Sequence, residues 1–124
     1  MEGEKIMSKD KGMTQQQYFD YHQEMCDSAR ELSRRKNNDY ADPEAHNEDP
    51  MRVFRNFMAC ELQGICTAEQ GFLVRLSDKF MRMSNLLRPG HERKVDDETL
   101  DDTIKDVVNY VLLLGAYLKA KNNK

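Results

Sequence analysis

The chain has no tryptophan, only three prolines and three cysteines in 124 residues, and no apolar run near the roughly 20 residues that span a bilayer. Each shortage excludes something. Cys26, Cys60 and Cys66 form no CxxC pair and leave an odd thiol. That argues against a disulfide scaffold or zinc module and for a reducing, cytoplasmic setting. The opening MEGEKIMSKDKGM lacks the apolar stretch of a secretory signal. Walker A, GxGxxG and GxSxG motifs are absent, which removes P-loop, Rossmann and α/β-hydrolase chemistry. His22, His46 and His91 are scattered without HExxH or HxxxH spacing, and no His-Asp dipeptide supports an HD-type phosphohydrolase. An excess of positive charge is missing too. A net charge of -3 and a pI near 5.6 give no broad electrostatic footprint for nucleic acid. Neither nucleic acid nor a membrane is an expected partner.

What is present is helical. Hydrophobic residues make up 39% and charged ones 33%, with a mean hydropathy of -0.85, so not every element can bury a full face. Residues 1–13 are charged and aperiodic and read as a flexible tail ahead of one domain, residues 14–124. Thr14 caps a first helix to about Lys36, with Tyr18, Tyr21, Met25, Ala29 and Leu32 on one face. Residues 37–48, rich in Asn, Asp and Pro, read as an ordered loop. Asp49-Pro50 opens a second helix that carries Phe54, Phe57, Met58 and Ile65 and stops near Gly64.

Thr67-Ala-Glu-Gln70 matches a capping box for a third helix, packed through Phe72, Leu76, Phe80, Met83 and Leu87 and ended by Arg88-Pro89-Gly90. Asp97 starts the last helix, to about Lys121, with a seam of Leu100, Ile104, Val107, Val111 and Leu118. Four amphipathic helices with short connections predict an all-α, four-helix bundle. The eight methionines and the cysteines suit its core.

The last helix carries the strongest chemical signal. Val95 to Asp106 holds six carboxylates ahead of an apolar run. At roughly 100° per residue, Glu98, Asp102, Asp106 and Asn109 share a strip roughly 80° wide, opposite the Leu100/Ile104/Val111 seam. The helix dipole accounts for acids in the first turn but not for Asp106, more than two turns in. The strip leads into Tyr110 to Leu114, apolar all round and therefore expected to be enclosed, inside the bundle or at a subunit contact. Carboxylates at such a margin raise their pKa values or bind a divalent cation. Glu61 shares the inward face of Phe54 and Phe57, as a metal ligand or as the partner of an arginine. On the third helix Arg75, Asp78, Arg82 and Asn85 make a polar stripe with Lys79 beside it. It is an exposed ion-paired face or an acidic ligand flanked by phosphate-binding cations.

In Lys36-Asn-Asn-Asp-Tyr40, Arg55-Asn-Phe57, Val74-Arg-Leu-Ser-Asp-Lys79 with Arg82, and Asp97-Glu98 followed by Asp102, Asp106, Asn109 and Tyr110, the chain resembles the MazG-like all-α NTP pyrophosphohydrolases. It looks closest to their phage, nucleotide-modification-associated branch. The likeness spans about Tyr18 to Leu118. That superfamily holds metal with an EExxE motif on one helix and an ExxD motif on a later one. Asp78 matches an acid of the first motif, Asp106 the Asp of the second, and Asp102 the acid one turn before it. Asp78-Lys-Phe-Met-Arg82 lacks the later glutamates, and Thr103 stands where Glu is frequent.

The resemblance implies hydrolysis of a (deoxy)nucleoside triphosphate between the α and β phosphates, with dGTP the substrate of the MazZ-like relatives. The expected metal ligands for Mg²⁺ or Mn²⁺ are Asp78, Asp102 and Asp106, with Glu61 and Glu98 making up the missing oxygens. Asp78, Asp106 and Glu61 are the candidate catalytic acids. Arg75, Lys79 and Arg82 would meet the departing pyrophosphate, near Lys36 and Asn109. Asp39, Tyr40, Asn56, Phe57 and Tyr110 would contact base or sugar. So small a bundle with an all-round apolar segment is expected as a homodimer or homotetramer. The competing expectation is a non-catalytic adaptor whose acidic strip docks a basic partner.

Overall fold

The computed structural model describes residues 11–40, 50–90 and 98–122, the side chains at 37–40 and 98–99 excepted. It contains four α-helices, and no strand occurs among the described residues: α1 (Gln15–Tyr40), α2 (Arg55–Leu62, preceded by a 3₁₀ turn over Arg52–Phe54), α3 (Ala68–Leu87) and α4 (Glu98–Asn122). The chain is an all-α bundle. α4 is its axis and packs against α1 on one side and α3 on the other, while α3 also holds α2.

The ends of these helices follow from local chemistry. Thr14 and Gln17 exchange hydrogen bonds at the start of α1, the Gln17 amide donating to Thr14 Oγ1 and the Thr14 amide to Gln17 Oε1. Thr67 and Gln70 do the same for α3, the capping box expected from the sequence. Gly64, with φ of +75°, closes α2 in a conformation that side-chain-bearing residues avoid. Two boundaries differ from expectation. α1 continues through Asn37-Asn38-Asp39-Tyr40, so the expected loop gives up its first four residues to helix. Those residues have modest helix propensity, and the preceding turns carry them. The segment after Pro50 begins as a 3₁₀ turn, and Ile65 lies beyond α2, exposed.

An aromatic knot forms the core. Phe72 is completely buried and stacks on Phe57, ring centroids 3.8 Å apart and nearly parallel. Tyr117 meets Phe54 edge-on at 5.4 Å and Phe72 at 5.8 Å, and Tyr110 stands edge-on to Phe57 at 6.0 Å. Each ring pair contributes about 0.5–1.5 kcal/mol beyond its area. Ala68 fits beneath this knot with no exposure.

On α4 the inward line is Thr103 and Tyr117, both buried, with the half-buried Tyr110 between them and Leu113 and Leu114 alongside. The expected seam is therefore rotated by roughly a quarter of a turn from the true one: Val111 and Leu118 are exposed. Because residues 110–114 are apolar on every side, periodicity offers two stripes, and the rings of α2 and α3 select the one bearing Tyr110 and Tyr117. Val111 and Leu112 then face outward, so one protomer does not enclose the segment. Phe80 and Leu87 of α3 and Tyr18 and Tyr21 of α1 are likewise exposed rather than packed. Cys26 is exposed on α1, not a core residue, while Cys60 and Cys66 are half-buried and all three are free. Burial, with Cys60 beside it, pushes the Cys66 thiol up.

Candidate functional site

The rotated seam puts Asp106 and Asn109 at the margin of the interior face of α4, half-buried between α1 and α3. Asp106 is 16% exposed at its side chain and is held from both sides. Lys36 Nζ of α1 lies 3.2 Å from Oδ1, and Lys79 Nζ of α3 lies 3.0 Å from Oδ2. One carboxylate thus ties three helices together, and two of its partners come from fragments picked out in the sequence. One turn on, Asn109 donates from Nδ2 to the carbonyl of Ala29 at 3.0 Å, fixing the α1–α4 spacing where Ala29 is buried.

Beside this cluster opens a cleft of about 1430 Å³ between α1, the Arg52–Phe57 segment, α3 and α4. Its walls include Lys36, Asn56, Phe57, Arg75, Asp106, Asn109 and Tyr110, all expected site residues. Phe57 and Tyr110 belong to the aromatic knot as well, so part of the cleft wall is the flank of the core. Sequence reasoning passed over three cations that also line it, Arg30 and Arg34 on α1 and Arg52 ahead of α2, and gave no role to Arg55, quoted within Arg55-Asn-Phe57. The signal was present, since Arg30 and Arg34 are one turn apart on the helix that also presents Lys36, and Arg52 and Arg55 are three apart. Among the described residues Asp106 is the one acid in the cleft wall, against six Arg and Lys.

The remaining expected residues lie elsewhere. Glu61 is not in the cleft wall; its Oε1 accepts from the Ala68 amide at 2.8 Å, so it satisfies an orphan donor at the start of α3. Asp78, Arg82 and Asp102 are exposed and outside the wall. The side chains of Asp39, Tyr40 and Glu98 lie outside the described residues, as do His46 and His91. His22 is exposed on α1, its Nδ1 3.8 Å from Cys26 Sγ. No three of His, Cys, Asp and Glu come together as a metal-holding group among the described residues. Both oxygens of Asp106, the best-placed acid, already face ammonium groups. Among the described residues, therefore, the carboxylates of one chain are not gathered into one group.

Comparison with protein-family models, curated proteins and solved structures finds no match.

Proposed function

We propose that the chain is a nucleoside triphosphate pyrophosphohydrolase, cleaving the α–β phosphoanhydride of a (deoxy)nucleotide, dGTP favoured by the MazG-like resemblance. The observation that carries the reading is a cleft whose wall, among the described residues, holds Arg and Lys side chains, the Asp106 carboxylate and two rings of the aromatic knot. A nucleoside triphosphate is a polyanion joined to a flat, stackable base, and these are the groups such a wall receives. Guanidinium groups bind phosphate oxygens in paired, charge-assisted hydrogen bonds. Phe57 and Tyr110 offer a ring face or edge to the base, and the amides of Asn56 and Asn109 supply donors and acceptors.

In the reaction a water oxygen bonds to one of the two bridge phosphorus atoms as the bond to the bridging oxygen breaks, releasing nucleoside monophosphate and pyrophosphate. Asp106 is the acid available in the wall to take the water's proton. Arg75 and Lys79 neutralise the charge that accumulates on pyrophosphate. Mg²⁺ or Mn²⁺ enters this reading with the triphosphate as its counter-cation, since such ions take substrate phosphates together with one or two carboxylates. Asp102, on one strip of α4 with Glu98, is the carboxylate on offer.

The outward-facing Tyr18, Phe19, Val111 and Leu112 support assembly as a homodimer or homotetramer. Membrane association finds no support, since no described helix is long and apolar enough to cross a bilayer. The test is a panel of nucleotides incubated with the protein and Mg²⁺ or Mn²⁺, products resolved by chromatography. Pyrophosphate and monophosphate are expected; orthophosphate and diphosphate, or no turnover with any nucleotide, would overturn the reading.

A further inference from the structure

Two thiols meet where α2 turns back toward α3. Cys60 lies in the last turn of α2, and Cys66 stands one residue ahead of Thr67, the cap of α3. The turn between them is tightly tied. The Gln63 amide donates to the Ala59 carbonyl and the Gly64 amide to Glu61, while the Ile65 and Cys66 amides both donate to the Cys60 carbonyl, at 3.0 and 3.5 Å. Bond lengths alone then hold the Cα atoms of Cys60 and Cys66 within about 7 Å of each other. Disulfides span roughly 4.4–6.8 Å between Cα atoms. The side chains turn the same way, for the two thiols are within hydrogen-bond reach of each other, and both are free and half-buried. The carboxylate of Glu61 accepts from the Ala68 amide at 2.8 Å, which anchors the turn on the far side of the pair.

From this we infer that Cys60 and Cys66 form a redox-active dithiol, closed to a disulfide by a low-molecular-weight disulfide and reopened by a thiol. One cysteine, as thiolate, attacks a sulfur of the small disulfide; a mixed disulfide forms, and the small thiolate that leaves takes up a proton. The other cysteine, as thiolate, attacks the protein sulfur of that mixed disulfide. The Cys60–Cys66 bond forms, and the second small thiolate leaves and is protonated. The protein gives up two electrons and two protons, and the small disulfide gains both. The bridge joins two points that the fold already holds together, so it stabilises the turn instead of straining it. Neither thiol has a part in the proposed hydrolysis, and the inference is independent of it.

Cys26 is the internal control. It is exposed on α1 beside His22 and not beside either of the other cysteines, so the same reagent can leave only a mixed disulfide on it. The native protein is incubated with oxidised glutathione, the remaining thiols are blocked with iodoacetamide, and tryptic peptides are weighed. Cleavage after Arg55 and Arg75 leaves Cys60 and Cys66 in one peptide, residues 56–75, and cleavage after Lys11 and Arg30 leaves Cys26 in another. The 56–75 peptide is expected without alkylation and about 2 Da lighter than its dithiol form, while Cys26 carries glutathione. Dithiothreitol should restore two alkylatable thiols to it. In Cys26→Ser, where the pair holds the remaining thiols, the oxidised protein should melt several degrees above the reduced one. Adding Cys66→Ser should abolish that rise.

Two alkylated thiols in the 56–75 peptide, once Cys26 is glutathionylated, would overturn the inference. So would glutathione held on both Cys60 and Cys66 without closure, or a cross-link from Cys26 to either of them. An oxidised Cys26→Ser protein that melts no higher than its reduced form would show that the turn is not built to take the bridge, and would overturn it as well.

Discussion

The aromatic knot and the cation-lined cleft are adjacent, share Phe57 and Tyr110, and differ in how their groups are satisfied. In the knot, Phe54, Phe57, Phe72 and Tyr117 satisfy one another by stacking and edge contacts, and nothing from outside is needed. In the cleft the cations outnumber the acids of the described wall, and the one carboxylate is shared between two lysines. The first region holds the fold; the second gathers charged side chains around an opening. Substitutions in the knot should therefore change stability, and substitutions in the cleft should change binding and turnover.

The largest separation is expected from Phe72→Ala, which removes a ring with no exposed surface and leaves Phe57 without its stacking partner. Denaturant unfolding should show a loss of about 3–5 kcal/mol; a loss under about 1 kcal/mol would mean that the knot is not the core. Next comes Asp106→Asn, expected to lower nucleotide turnover by about a hundredfold or more, with helix content by circular dichroism kept. Glu61→Gln is its control. Because Glu61 caps the start of α3 and stands outside the cleft wall, its variant should keep wild-type turnover. If Glu61→Gln loses turnover while folded, the cleft has been drawn too narrowly.

These contrasts show what could be read from the sequence and what could not. The capping box at Thr67, the stop at Gly64 and the bounds of α3 were legible because caps and breakers act within a few residues. The face that α4 buries was not. Its apolar residues surround the helix from Tyr110 to Leu114, and the choice of stripe depends on rings contributed by α2 and α3, which periodicity cannot see. Lys36, Arg75, Asp106 and Asn109 were found as separate fragments, and α4 is what brings them to one cleft. The arginines of α1 were passed over because a cation on a helix has no local mark that separates a site from a solvated face. Glu61 was misjudged for a related reason: sharing a face with Phe57 said nothing of the orphan amide at Ala68.

Smaller effects sharpen the same division. Thr67→Ala removes one side of the capping box and should cost about 1 kcal/mol by thermal or denaturant unfolding, with nucleotide turnover unchanged. A shift in turnover with that variant would show that the two regions are mechanically coupled.

The smallest effect is at the surface pair of Glu69 and Lys121, 2.7 Å apart. The hydrogen bond from Lys121 holds the Glu69 carboxyl below its ordinary value, and the same bond holds Lys121 above its own. The contribution of Glu69 is thus present above the ordinary carboxylate pKa and is lost as pH falls through its lowered value. That of Lys121 is present below the ordinary lysine pKa and is lost as pH rises through its raised one. Between about pH 5 and pH 3 the wild type should lose slightly more stability than Glu69→Gln, and added salt should shrink the difference. Parallel pH curves for the two proteins would remove the pair from the account.

The most direct test of the central claim is a ³¹P NMR time course of dGTP with Mg²⁺ or Mn²⁺, wild-type protein beside Asp106→Asn. With the wild type, dGMP and pyrophosphate are expected in equimolar amounts, the pyrophosphate signal twice the dGMP signal because it carries two equivalent phosphorus atoms, and neither is expected with the variant. Growth of dGDP and orthophosphate, or equal rates from both proteins, would contradict it.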